Sequence, residues 1–275
     1  MNQPTAFFRL LALLSLLLLF TACSREDDMD QITQADERLA QEDAVLEAEF
    51  EEMEALSFES VDLQESGNMA NAILVGTCVT LSLDTAQSLL TVDFGPGCVG
   101  PDGKTRAGRL LITYQQRLWM PGGSRVVVPD SFYVDGRQIE GTLTLTNVSS
   151  SFQDPITINA VLVNGQVTWP NGDVATRSYD RTRVWERAAN PANDQLRITG
   201  SSAGTTRAGV AYTTTIDQDL RYRRTCRAQG FRLPAEGIVT LQRAGRPDLI
   251  LDFGTGDCDD ELTLTRNGQS MTITL

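Results

Sequence analysis

From about residue 72 onward, apolar and polar residues alternate one for one along the chain. Leu110, Ile112 and Tyr114 fall on one side of this alternation, as do Leu143 with Leu145, Ile156 with Ile158, Val167 with Trp169, Leu249 with Leu251 and Phe253, and Met271 with Ile273 and Leu275. Period two marks half-buried strands. Between these runs sit Asp102-Gly103, Asp135-Gly136, Asn164-Gly165, Asn171-Gly172 and Asn267-Gly268, dipeptides that accept positive φ and close tight hairpins. The pattern predicts an all-β domain over residues 72–275, an antiparallel meander sheet or a sandwich of hairpins. Alternation alone does not decide between a sandwich, a barrel and one long curved sheet.

The period is different over residues 30–57. Ile32, Leu39, Leu46 and Met53 recur every seven residues, Phe50 and Leu56 lie near the same stripe, and Gly and Pro are absent. This predicts a short amphipathic helix within a tether over 23–71, a spacer that can lie on the β domain. Glu42 and Glu49 interrupt the place of a second seam, which counts against the alternative of a coiled-coil dimer. Gly67-Asn68 reads as the linker.

Charge sharpens the division. Residues 24–65 hold 16 acids against Arg25 and Arg38, whereas residues 66–275 hold 20 charges of each sign, so the formal −13 of the 275-residue chain belongs to the acidic segment. The pI therefore says nothing of a cationic partner for the β domain, and no basic patch points to nucleic acid. Histidine is absent, which removes the commonest general base and the commonest transition-metal ligand.

At the start, Arg9 precedes an apolar run from Leu10 to Phe20, then Thr21-Ala22 and Cys23. The run is short for a membrane span and fits a cleaved export signal over residues 1–22. Small residues ending in Cys resemble the bacterial lipoprotein box, with Phe20 where Leu is usual. That resemblance implies acylation of Cys23 and anchoring to a membrane by its lipid; an ordinary secretory signal with an incidental Cys is the plainer alternative. Ser24-Arg25-Glu26-Asp27-Asp28 resembles the acidic surface-export signal of Bacteroidota lipoproteins, against the alternative of a solvated tether facing the periplasm.

Two stretches echo each other: VTLSLDTAQSLLTVDFGPGC at 79–98 and VTLQRAGRPDLILDFGTGDC at 239–258; TRAG also occurs at 105–108 and 206–209. The echo fits either a duplicated hairpin, with two similar halves meeting near 150–175, or two hairpins converging on one turn chemistry. With the lipoprotein box, the acidic helix and DFGPGCVGPDGKTRAGRLLITY at 93–114, the chain resembles uncharacterised surface or outer-membrane lipoproteins of Bacteroidota. The resemblance implies an outer-membrane address, on the cell surface or the periplasmic face, and a β fold, and implies no mechanism.

Four cysteines remain once Cys23 is set aside, an even number in an exported chain. Of three pairings, Cys78–Cys98 and Cys226–Cys258 are expected, because Cys78 opens the first hairpin and Cys98 follows its second strand. Four free thiols are the alternative; the spacing is wrong for zinc. Asp257, Asp259, Asp260 and Glu261 lack the spacing of a calcium loop and read as a solvated turn. No cofactor or metal is expected.

One strand carries candidate chemistry. In RSYDRTRVWER, Arg177, Tyr179, Arg181, Arg183, Trp185 and Arg187 occupy the odd positions and share a face. In LRYRRTCR, Arg221, Arg223 and Arg227 oppose Leu220, Tyr222 and Cys226. An open face of guanidinium and aromatic groups would hold glycans, polyanions or a protein; a packed one would need acid partners. The expected function is a lipid-anchored binding or structural module, not an enzyme; the alternative is an exported hydrolase acting on glycans through carboxylates.

Overall fold

The computed structural model describes residues 31–67, 74–229, 231 and 233–274. The export signal, Cys23, the acidic residues 24–28, Asn68 and Leu275 lie outside them, as does the side chain of Arg227.

The first element, α1, runs Gln34–Ser66. It is 33 residues long and longer than the short helix expected, because no Gly or Pro breaks it before Gly67. Thr33 caps it: Asp36 reaches back to accept the Thr33 N–H at 2.8 Å and its hydroxyl at 2.7 Å. Gly67 ends it in the left-handed region, φ 66°, and donates its N–H to the Leu63 carbonyl.

The strands follow as β1 (Thr80–Asp84), β2 (Leu89–Asp93), β3 (Cys98–Val99), β4 (Thr105–Gln115), β5 (Ser124–Val134), β6 (Arg137–Asn147), β7 (Ile156–Thr168), β8 (Val174–Glu186), β9 (Gln195–Thr205) and β10 (Ala211–Arg223). A short helix, α2 (Arg224–Ala228), precedes β11 (Glu236–Arg243), β12 (Leu249–Thr255), β13 (Glu261–Arg266) and β14 (Gln269–Thr274). All fourteen belong to one antiparallel sheet in chain order, with β3 paired beside β4. The fold is the all-β meander that alternation predicts, and it is one continuous sheet.

The turn dipeptides divide by role. Asp135-Gly136 joins the paired Val134 and Arg137, and Asn267-Gly268 joins Arg266 and Gln269, with both residues of each pair at positive φ. Asn164-Gly165 closes no hairpin. It is a bulge inside β7, where the register with β8 shifts between Leu162 and Gly165. A Cβ on Gly165 would lie 2.8 Å from the Phe50 ring and 2.4 Å from the Arg177 carbonyl oxygen, so glycine there lets α1 press onto the sheet.

The expected bridges form, Cys78–Cys98 and Cys226–Cys258. The two DFG segments also share a local structure: Asp93 accepts the Gly95 N–H at 2.7 Å, and Asp252 accepts that of Gly254 at 2.9 Å. Residues 105–108 open β4 whereas 206–209 form the β9–β10 turn, and the ladder from β6 through β7 to β8 crosses 150–175 without a break.

The acidic helix is part of the core. Leu46, Phe50, Met53 and Leu56 are buried in one cluster with Leu90, Ile112, Phe132, Leu143 and Tyr179; Leu39 and Ala40 join a second cluster with Ile198, Leu220, Val239 and Leu262. Asp36 pairs with Arg266 on β13 and Glu52 with Arg106 on β4. These acids are about 24 Å apart along the helix, while nine strand steps span about 43 Å along the sheet. Sixteen helical residues reach both ends of that path only because the sheet curls around the helix.

Candidate functional site

Sheet curvature turns the arginines inward onto the helix acids. From β8, Arg177 binds Asp43 and Glu47, the latter at 2.8 Å; Arg181 binds Glu47, and Arg183 lies 3.1 Å from Glu54. Arg137 meets Glu49 at 2.7 Å, and Arg106 holds both Glu52 and Asp102. Arg125 lies over the Phe58 ring, 4.9 Å from its centroid.

Sequence alternation correctly places Arg177, Tyr179, Arg181 and Arg183 on one face, but the expectation of an open ligand face is overturned. All four are buried beneath α1. A central strand supplies them, and their acid partners come from the helix. Trp185, at the end of β8, is 45% exposed and donates its indole N–H to Asp194 at 3.2 Å; Arg187 lies beyond the strand, exposed. The second arginine group behaves as a solvated sheet surface. Arg221 bridges Glu186 and Glu236 at 3.3 and 3.4 Å, while Leu220, Tyr222 and Cys226 point into the core.

Burial and pairing set the protonation of the helix acids. Burial alone would raise the Glu47 carboxyl, but the Arg181 and Arg177 guanidiniums outweigh it and hold the group down to about 2. Asp36 is likewise held below the carboxylate range by Arg266 and Thr33, against the cost of its burial. For Glu49 and Glu54 burial wins over Arg137 and Arg183, and both are pushed up. Among the described residues no group of His, Cys, Asp or Glu is arranged to hold a metal ion. Asp259 instead accepts the Glu261 N–H of its own turn at 3.1 Å.

Above this lattice lies a cavity of about 760 Å³. Its floor is the flank of α1 that carries Ala40, Ala44, Ala48 and Ala55. One wall is apolar: Leu220 and Tyr222 of β10, Val239 of β11, Leu251 and Phe253 of β12, Leu262 of β13, and Phe231, Leu233 and Pro234 before β11. The other carries Leu74, Pro101, Asp102 and Lys104 from the region beside β4, with Asp43, Glu47, Glu51, Glu52, Arg177 and Arg181 between. Ala48 is exposed on the floor, so solvent reaches the space. Small side chains leave room where larger ones would fill it. The signal available in the sequence was alanine at 40, 44 and 48, one helical turn apart on one flank.

No known protein family, curated protein or solved structure matches this chain.

Proposed function

We propose that this chain is an exported, lipid-anchored binding protein that holds an apolar or amphipathic molecule between α1 and the β10–β13 arm of its sheet. The carrying observation is the cavity, whose size and largely apolar lining with convergent polar groups suit a small-molecule site. Partnering of the β8 arginines with helix acids argues against a polyanion there, because their charge is already engaged. The hydrolase alternative has less support, since Glu47 and Asp102 on the wall are bound to guanidinium groups that hold them below the usual carboxylate range, the wrong state for a general acid.

Ala48→Trp is the test, because Ala48 lies on the floor and its own side chain takes part in none of the ion pairs. The full chain is expected to bind the apolar fluorophore phenylnaphthylamine. The variant should bind it roughly tenfold more weakly at an unchanged melting temperature. Equal binding by both chains, or none by the parent, would overturn the site.

The address rests on the run Leu10–Phe20, Cys23 and the acids after it. We place the protein at the outer membrane, held by acyl chains on Cys23 and facing the cell surface. Each buried methylene of such a chain contributes about 0.8 kcal/mol of anchoring. Cys23→Ala should therefore release the protein from the membrane fraction on carbonate extraction or leave it unprocessed; equal retention and processing would contradict lipidation.

A further inference from the structure

The cavity's polarity is segregated, and this deepens the binding proposal above, on which it rests. Apolar side chains such as Leu220, Val239, Leu251 and Leu262 line the arm from β10 to β13. The charged groups lie along the helix, the turn before β4 and the inner face of β8, and they are of both signs: Asp43, Glu47, Glu51, Glu52 and Asp102 against Lys104, Arg177 and Arg181. We infer that the ligand is a single-chain zwitterionic amphipath, its acyl chain against the apolar arm and its phosphate and amine against the turn that carries Lys104.

Lys104 is the lysine of this chain, the single one among its 275 residues. Its side chain is 26% exposed and pairs with Glu52. Glu52 has a second cation, the fully buried Arg106, which donates through Nε at 2.7 Å and also binds Asp102 at 2.6 Å. If Lys104 turns to a ligand phosphate, Glu52 keeps a guanidinium partner, so the exchange strands no buried charge. Asp102 and Glu52 are beside it to accept an ammonium, since a carboxylate offers about four acceptor sites. A purely anionic head beside Lys104 would also face Glu52 and Asp102, and a purely cationic one would face Lys104 itself. A head with both signs answers both.

The experiment measures displacement of phenylnaphthylamine from the full chain by four palmitoyl or hexadecyl compounds, each below its micelle concentration: lysophosphatidylethanolamine, lysophosphatidylglycerol, hexadecylamine and monopalmitoylglycerol. The zwitterionic lysophospholipid should displace the dye at roughly tenfold lower concentration than the other three. Lys104→Gln should remove that advantage and leave monopalmitoylglycerol unchanged, while Lys104→Arg should retain it. Equal displacement by all four, or preference for any other head, overturns the head-group assignment and leaves the cavity standing. Dye binding with no displacement by any of the four excludes the chain assignment. Absence of dye binding removes the cavity reading itself.

Discussion

Replacing Asp36 by Asn is expected to lower the unfolding free energy by about 3–5 kcal/mol, the cost of breaking a buried ion pair by removing one partner. Asp36 is 0% exposed and lies in the first turn of α1. Arg266 grips it with two nitrogens, at 2.7 and 3.0 Å, and Arg243 and Arg246 bind the same carboxylate. Arg266 is itself buried, so the amide would leave a guanidinium in the core without its counter-ion. The carboxylate also caps the helix through Thr33, and loss of a cap adds about 1 kcal/mol. Urea unfolding monitored by circular dichroism measures the difference. A loss smaller than 1 kcal/mol would mean that this end of α1 is not docked.

The second large effect is on acid stability, and its sign follows from the two kinds of buried carboxylate. Glu47 and Asp36 are held below their ordinary values, so each stabilises the fold at neutral pH and loses that contribution as pH falls from about 4.5 toward 2. Held at about 2, Glu47 alone contributes on the order of 3 kcal/mol at neutral pH. Glu49 and Glu54 are pushed up, so the fold gains stability as they take protons and loses it as pH rises through their folded values. Stability should rise modestly on going from neutral pH to about 5, then fall steeply below about 4. Glu47→Gln should be less stable at pH 7 and show a shallower acid limb. A parallel acid limb in parent and variant would show that Glu47 does not titrate with the lattice.

Much of this fold was legible because strands and turns are local. Alternation identified many of the strands, the Gly dipeptides the turns at 102–103, 135–136, 171–172 and 267–268, and the position of Cys78 and Cys98 around one hairpin their bridge. Asn164-Gly165 misled because the same φ preference serves a bulge and a turn, and only the partner strand decides which. The arginine strand shows the harder limit. Period two correctly put Arg177, Tyr179, Arg181 and Arg183 on one face, but what covers that face lies some 130 residues away, at Asp43 and Glu47. The acidic segment reads as a helical spacer that can lie on the β domain and not as part of its core, since acids in sequence carry no mark of the guanidiniums they will meet. Glu42 and Glu49, taken as interruptions of the helix stripe, are positions where it binds the β body, through Arg207 and Arg137. The cavity was hidden for the same reason. Its floor and its apolar wall come from opposite ends of the chain.

The most direct test of the account is native-state hydrogen exchange across α1. An acidic helix built into the curled sheet, with its apolar stripe in both core clusters, should exchange its central amides, from Ala44 to Leu56, only through global unfolding. Their protection should match that of β6 and β8 and fall in parallel with them as denaturant is added. Exchange of those amides within minutes, while the sheet stays protected, would show α1 to be detached from the sheet, and would leave the proposed site without its floor.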